Sequence, residues 1–201
     1  MTPEFIYLAS QSPRRSQLLD QLGVAHRILV ADTDEDAESL ETVLPGEAPR
    51  AYVQRVTALK LDAAVARLER RGLPAAPVLC ADTTVALGRT IYGKPEDSAH
   101  ARQMLTALSG TTHRVLTAVA VQSGRERWQA LSESRVTFAT MTTAQIDRYA
   151  DSGDPLGKAG GYGVQGAAAA HIARISGSYS GIMGLPLHES ARLLRHCGLM
   201  V

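Results

Sequence analysis

The sequence predicts a mixed α/β fold, and three observations carry that expectation. Short apolar runs of strand length alternate with segments whose apolar residues recur at helical spacing. Two further apolar runs flank the turn signal Ser123-Gly124, which reads as an antiparallel hairpin or meander. Helix starts and stops carry their own punctuation of capping residues, Pro and Gly. Helices, single strands and one long hairpin in one chain point to a mixed α/β architecture. With 201 residues, 45% of them hydrophobic and 20% charged, the chain is long enough to bury a sizeable core and has no composition of disorder. No repeat or low-complexity linker interrupts it, so a single domain over residues 1–201 is expected.

Ile6-Tyr7-Leu8-Ala9 suits a buried strand, and it stops at Ser10-Gln11-Ser12-Pro13-Arg14-Arg15. There Ser12 is placed to N-cap a helix, and Pro13 fits the first helical position, where its missing N–H costs nothing. Leu18, Leu19 and Leu22 follow at helical spacing, and Gly23 ends the helix. An acidic segment comes next, with Asp32, Asp34, Glu35, Asp36, Glu38 and Glu41. A helix is expected from Pro49 to Arg71, with Val53, Val56, Leu59 and Ala63 inward and Gly72 as its stop. The run 76–81 reads as a strand that continues, after Asp82-Thr83-Thr84, into Val85-Ala86-Leu87. Gly88-Arg89 turns into Ile91-Tyr92, and a capped helix runs from about Asp97 to Leu108. The hairpin residues 115–121 and 136–138, a short helix 143–150 and a last helix from about Leu187 to His196 complete the reading. Between the last two, glycines crowd together at 153, 157, 160, 161, 163 and 166.

Charge narrows the function classes. The 21 Lys and Arg nearly balance the 20 Asp and Glu, for a formal net charge of +1, which gives no overall electrostatic reason to expect a nucleic acid or an anionic membrane as partner. Cys80 and Cys197 are too few and too far apart for a disulfide scaffold and read as reduced thiols. Neither a signal-peptide pattern nor an apolar run approaching the roughly 20 residues of a membrane span is present, so a cytoplasmic protein is expected.

Several apparent motifs fail on their chemistry. Gly88 to Lys94 has the spacing of a phosphate-cradling loop, but Pro95 stands where a Ser or Thr should bind magnesium, and Ile91-Tyr92 reads as strand rather than helix. Gly177-Ser178-Tyr179-Ser180-Gly181 lacks the central Ser of a nucleophile elbow. The six His are scattered, with no zinc spacing, and His113 and His171 read as ordinary sheet residues.

Four segments survive as candidates. Ser10-x-Ser12-Pro13-Arg14-Arg15 places two guanidinium groups at a helix N-terminus, a combination suited to phosphate; a capped surface helix with solvated arginines is the alternative, and its position after a strand favours phosphate. Asp82 is a carboxylate between apolar runs, costly to bury without a metal, a base role or a hydrogen bond, although a turn-capping Asp fits the local sequence too. Lys60 sits near the inward helix residues and Lys94 beside Pro95; a snorkelling and an exposed lysine are the alternatives there. Lys158 to Gly166 lets the backbone approach a ligand, and Gln165 can pair with the edge of a base; the apolar flanks Val164 and Ala167–Ala170 argue against a mere flexible loop.

Taken together, these residues resemble the Maf family of nucleoside triphosphate pyrophosphatases. The matching segments are Leu8 to Arg15, Ala81 to Thr83, Gly93 to Pro95, Ser109-Gly110 with His113, Lys158 to Gly166, and Gly177 to Tyr179 with Gly184 to Pro186, in order over nearly the whole chain. The resemblance implies an elongated mixed sheet flanked by helices, forming two lobes with a cleft between them. It implies hydrolysis of the α–β phosphoanhydride, giving a nucleoside monophosphate and pyrophosphate with a divalent cation, Mg or Mn. Asp82 takes the position of the catalytic proton acceptor. Arg14, Thr83 and Gln165 fall on the positions tied to substrate choice and read as in the branch acting on dTTP and UTP. The neighbouring branch, which prefers methylated GTP, differs there. Ser10, Ser12, Arg15, Lys60, Lys94 and Lys158 complete the implied substrate-binding set, and Glu35 and Asp82 the metal-binding one. A homodimer is the family expectation, as is a nucleoside triphosphate partner without nucleic acid or membrane. One departure stands out: Gly157 occupies the place of a usual Asp before the Lys-Ala-Gly run, which keeps open a nucleotide-binding regulator of cell division that does not turn its ligand over. Aromatic content of only 4% shifts base recognition toward Gln165, Thr83 and the backbone.

Overall fold

The structure, a computed structural model, describes residues 3–32, 35 and 39–201. Asp34, Asp36 and Glu38 of the acidic segment lie outside the described residues. Seven strands form one open mixed sheet: β1 (Ile6–Leu8), β2 (His26–Ile28), β3 (Val78–Leu87), β4 (Thr90–Tyr92), β5 (Thr112–Ser123), β6 (Glu126–Phe138) and β7 (Ile172–Ser176). Their order is β2-β1-β3-β5-β6-β7, with β4 also pairing β3. β1 runs parallel to β2 and β3, whereas the pairs β3–β4, β3–β5, β5–β6 and β6–β7 are antiparallel. The helices are α1 (Pro13–Gln21), α2 (Pro49–Arg70), α3 (Ser98–Leu108), α4 (Thr143–Asp151), α5 (Tyr179–Met183) and α6 (Leu187–His196).

Alternation along the strands decides which helices cover which face. Cys80 and Ala120 turn toward Leu61 and Ala64 of α2, and Ala86, Leu116 and Ala118 toward Val53 and Val56 of the same helix. The opposite side chains, Leu79, Ala81 and Val119, meet Leu18 and Leu19 of α1 and Leu193 and Leu194 of α6. Farther along that face, Val85, Val115 and Phe138 pack on Leu105 of α3, Tyr149 of α4 and Ile182 of α5. No helix among the described residues is long and apolar enough to cross a membrane.

Several expectations change in detail. Asp82 sits within one continuous strand rather than at a strand end or bend. Leu59, expected inward, is 37% exposed; the inward stripe of α2 passes instead through Leu61 and Ala64. Ser12 occupies the N-cap position of α1, but its side chain accepts no capping bond. Its backbone N–H instead donates to Ser10 Oγ at 3.1 Å. The hairpin is much longer than its apolar cores, pairing Thr112 with Thr137 at one end and Ser123 with Glu126 at the other. β2, β7 and α5 are elements that the periodicity did not single out.

Candidate active site

The site forms where the sheet is incomplete. β1 reaches only as far as Leu79 of β3, and β4 begins its pairing at Val85. Between them, residues 80–84 bond to β5 on one side and to no strand among the described residues on the other. The chain leaves the C-terminal end of β1 into α1, the position at which α/β sheets receive ligands. A cavity of about 1090 Å³ opens at this bare edge. It is lined by Ser10, Ser12, Arg14, Arg15, Glu35, Lys60, Asp82, Thr83, Lys94, Lys158 and Gln165. The structure therefore brings every sequence-derived candidate to one cavity.

Asp82 and Thr83 are adjacent in β3, so their side chains leave opposite faces. On the α2 face, Lys60 Nζ donates to Asp82 Oδ1 at 2.6 Å and to Glu41 Oε1 at 2.7 Å. Lys94 Nζ donates to both Glu41 oxygens at 3.1 Å. Tyr52 steadies the backbone beneath, its hydroxyl donating to the Glu41 carbonyl at 2.9 Å. Burial alone would lower the Lys60 pKa, but Asp82 and Glu41 raise it on balance, so the ammonium stays charged. For Glu41, burial pushes up and the two lysines push down, with a net lowering. Asp82 is 7% exposed, and its Oδ2 has no hydrogen-bond partner among the described residues.

Glu41 is the residue that sequence reasoning missed. In the sequence it is one of several carboxylates in the acidic segment, of which family resemblance points to Glu35. In the structure Glu35 meets Arg67 at 2.9 and 2.5 Å and Arg70 at 2.6 Å. The Arg67 hydrogen bond leads in drawing its pKa down to about 2. No signal in one sequence separates these two glutamates, because their partners on α2 lie one helical stretch apart, at 60 and 67. Glu41 Oε1 and Asp82 Oδ1 thus share the Lys60 ammonium, which leaves the other oxygen of Asp82 free of partners among the described residues. Among the described residues no group of three or more acidic, His or Cys side chains gathers into an all-protein cage. Two carboxylates lining one cavity fit magnesium, which takes few carboxylates and completes its shell with other oxygen ligands and water.

On the other face Arg15 acts as a strut. Its Nε donates to the Gly184 carbonyl at 2.8 Å, Nη1 to Ser10 Oγ at 3.1 Å and Nη2 to Thr83 Oγ1 at 3.4 Å. Thr83 Oγ1 lies 3.0 Å from Thr117 Oγ1, which donates to the Gly181 carbonyl at 2.7 Å. Arg14 makes no hydrogen bond or ion pair among the described residues, although it is half-buried in the cavity wall. Burial first, and then Arg15, lower its pKa, while the Asp154 carboxylate raises it.

The glycine loop supplies the remaining wall. Gly160 has φ +69°, and its N–H donates to the Gly93 carbonyl at 2.9 Å, tying the loop to the segment of Lys94. A Cβ at Gly160 would stand 2.8 Å from Val85, so only glycine fits there. Lys158 is paired with Asp154 at 3.1 Å. Gly157 has φ +71° with nothing within 4 Å of a Cβ, so its lack of a carboxylate follows from no crowding in the fold.

Comparison with known proteins covers nearly the whole chain. The chain matches the family described as Maf-like protein over residues 5–197. It is 69% identical to the dTTP/UTP pyrophosphatase of Albidiferax ferrireducens over 198 residues, covering 98% of this chain and 99% of that one. It is 66% identical to the protein of the same name from a Polaromonas species, with 98% of each chain covered. The dTTP/UTP pyrophosphatase of Cupriavidus pinatubonensis is 64% identical, again with 98% of each covered. With its cavity residues in order and the match running almost end to end, the chain belongs to the Maf family.

Proposed function

We propose that this protein hydrolyses dTTP and UTP to the nucleoside monophosphate and pyrophosphate, with a divalent cation. The observation that carries the reading is the clustering of Asp82, Glu41, Lys60 and Lys94 in the same cavity as the Arg14 guanidinium, which has no ion-pair partner among the described residues. Arg14 and the N-terminus of α1 bind phosphate oxygens, since both offer donors in a favourable field. Lys60 and Lys94 neutralise the charge that grows on the departing pyrophosphate. Asp82 Oδ2 accepts the proton of the attacking water as the oxygen–phosphorus bond forms, the α–β bridge breaks, and pyrophosphate leaves with the bridging electron pair. Asp82 and Glu41 would hold the cation, which when bound polarises the phosphate and acidifies a water. Thr83 and Gln165 face the cavity with groups able to read a pyrimidine.

The test is a nucleotide panel with magnesium or manganese, in which released pyrophosphate is measured with and without chelator. We expect release from dTTP and UTP that disappears when the metal is removed. Asp82→Asn should lower turnover by about 10²- to 10⁴-fold while nucleotide binding persists. Pyrophosphate release by that variant at the unsubstituted rate would remove Asp82 from its role. The bare Gly157 favours one other reading, a nucleotide-binding regulator, and tight binding with no turnover on any nucleotide would select it.

A further inference from the structure

Beside the cavity, Asp154 is a carboxylate that the chemistry above does not use. Its Oδ2 accepts the hydroxyl of buried Tyr149 at 2.7 Å, and its Oδ1 accepts from Lys158 Nζ at 3.1 Å. Lys158 Nζ also donates to the Asp154 carbonyl. This lysine, implied by family resemblance to bind substrate, is thus already neutralised from behind. Its stem is laid across Gly163, where a Cβ would stand 3.3 Å from both Cδ and Cε. The same Cβ would stand 3.1 Å from Nε2 of Gln165, so the lysine stem and the glutamine amide share the space that Gly163 leaves open. Gly166 closes the turn by donating to the Gly163 carbonyl at 3.0 Å, and a Cβ there would stand 3.2 Å from Asp154 Oδ2. Gln165 is therefore bracketed by two glycines, each of which makes room for the Asp154–Lys158 pair or for the amide itself. Asp154 also favours the charged form of Arg14, against the effects of burial and of Arg15.

We propose that Asp154 is a positioning residue for nucleotide selectivity, holding Lys158 across Gly163 so that the Gln165 amide meets the base in one orientation. The inference rests on the pyrophosphatase reading of the cavity. An amide offers a donor at one end and an acceptor at the other, so it discriminates between bases only while it cannot swing. Freed from its bracket, Gln165 satisfies either hydrogen-bonding pattern, and a competing pyrimidine is accepted more readily.

The experiment compares kcat and KM for UTP and CTP in the unsubstituted protein, Asp154→Asn, Tyr149→Phe and the double variant, with melting temperatures alongside. Asp154→Asn should lower the UTP-over-CTP ratio of kcat/KM by about tenfold, chiefly through KM, with kcat held within about threefold. Tyr149→Phe should move the ratio in the same direction, and the double variant should go no further than Asp154→Asn, because both act through one carboxylate. A folded Asp154→Asn with an unchanged ratio, or one that loses kcat equally on every nucleotide, overturns the proposal. If Asp154→Asn does not fold, Tyr149→Phe carries the same comparison with one hydroxyl removed. Absence of pyrophosphate release from any nucleotide by the unsubstituted protein overturns the underlying reading, and that result comes before any variant is made.

Discussion

Arg14 and Arg15 are neighbours in sequence with opposite circumstances in the fold. Arg15 spends its donors on Gly184, Ser10 and Thr83, whereas Arg14 donates to none of the described residues. Arg15→Ala should therefore lower stability by about 1–3 kcal/mol, because it strips partners from partly buried oxygens, and a denaturant titration would register the loss. Arg14→Ala should leave that titration unchanged within about 0.5 kcal/mol and raise KM for the triphosphate about tenfold or more. Residue identity was the most legible level of the sequence: the arginine pair, Asp82, the lysines and Gln165 all reach the cavity. Their division of labour was not legible, since it depends on Gly184 and Thr83, which lie 169 and 68 residues away from Arg15 along the chain. That Glu41 meets Lys60 while Glu35 meets Arg67 has the same cause, a choice between partners made only in three dimensions.

Elements with their own punctuation were readable, and those defined by partners were not. α4 carries a full capping box, in which Thr142 and Gln145 bond each other's backbone N–H groups. Thr142→Ala should cost about 1 kcal/mol, visible as a lower melting temperature. β2 and β7 lack such signals. Each is short and lies at an edge of the sheet, and β7 alternates too weakly to mark a strand before β6 is there to pair with it. α5 was hidden for another reason, being five residues long with glycine inside it. The glycine loop offers a sharper test. Gly160→Ala meets both a positive φ and the Val85 methyls, so it should cost about 2 kcal/mol or more and loosen the link to Gly93. Thermal melts of the purified variant would reveal it.

For the whole molecule, acid stability depends in part on a buried imidazole that hydrogen-bonds Tyr162 at 2.7 Å in the cavity wall. His113 is 1% exposed between Phe138 and Tyr162, and burial pushes its pKa down to about 4 from 6.5. The unfolded imidazole takes a proton that the folded one refuses, so stability is whole above pH 6.5 and declines as the pH falls toward 4. The decline amounts to roughly 3 kcal/mol over that window. His113→Gln should flatten the difference between denaturant titrations at pH 7 and pH 5. Glu35 acts lower still: with its pKa held near 2 against 4.5, its contribution is present above pH 4.5 and vanishes as the pH falls through 2. Fold class was legible at this scale because it needs only the mixture of periodicities. The incomplete sheet edge was not, since it depends on where β1 stops and β4 starts against β3.

That bare stretch of β3 has a consequence for how such a protein can change. Asp82 is backed by the apolar layer under α2, and Thr83 by the layer under α1 and α5, so two adjacent cavity-lining side chains rest on different sets of core residues. On the pyrophosphatase reading proposed above, substitutions beneath the layer that backs Thr83 act on base choice while leaving the bed of Asp82 in place. A lineage drifting toward a new base therefore has half of its machinery insulated from the search.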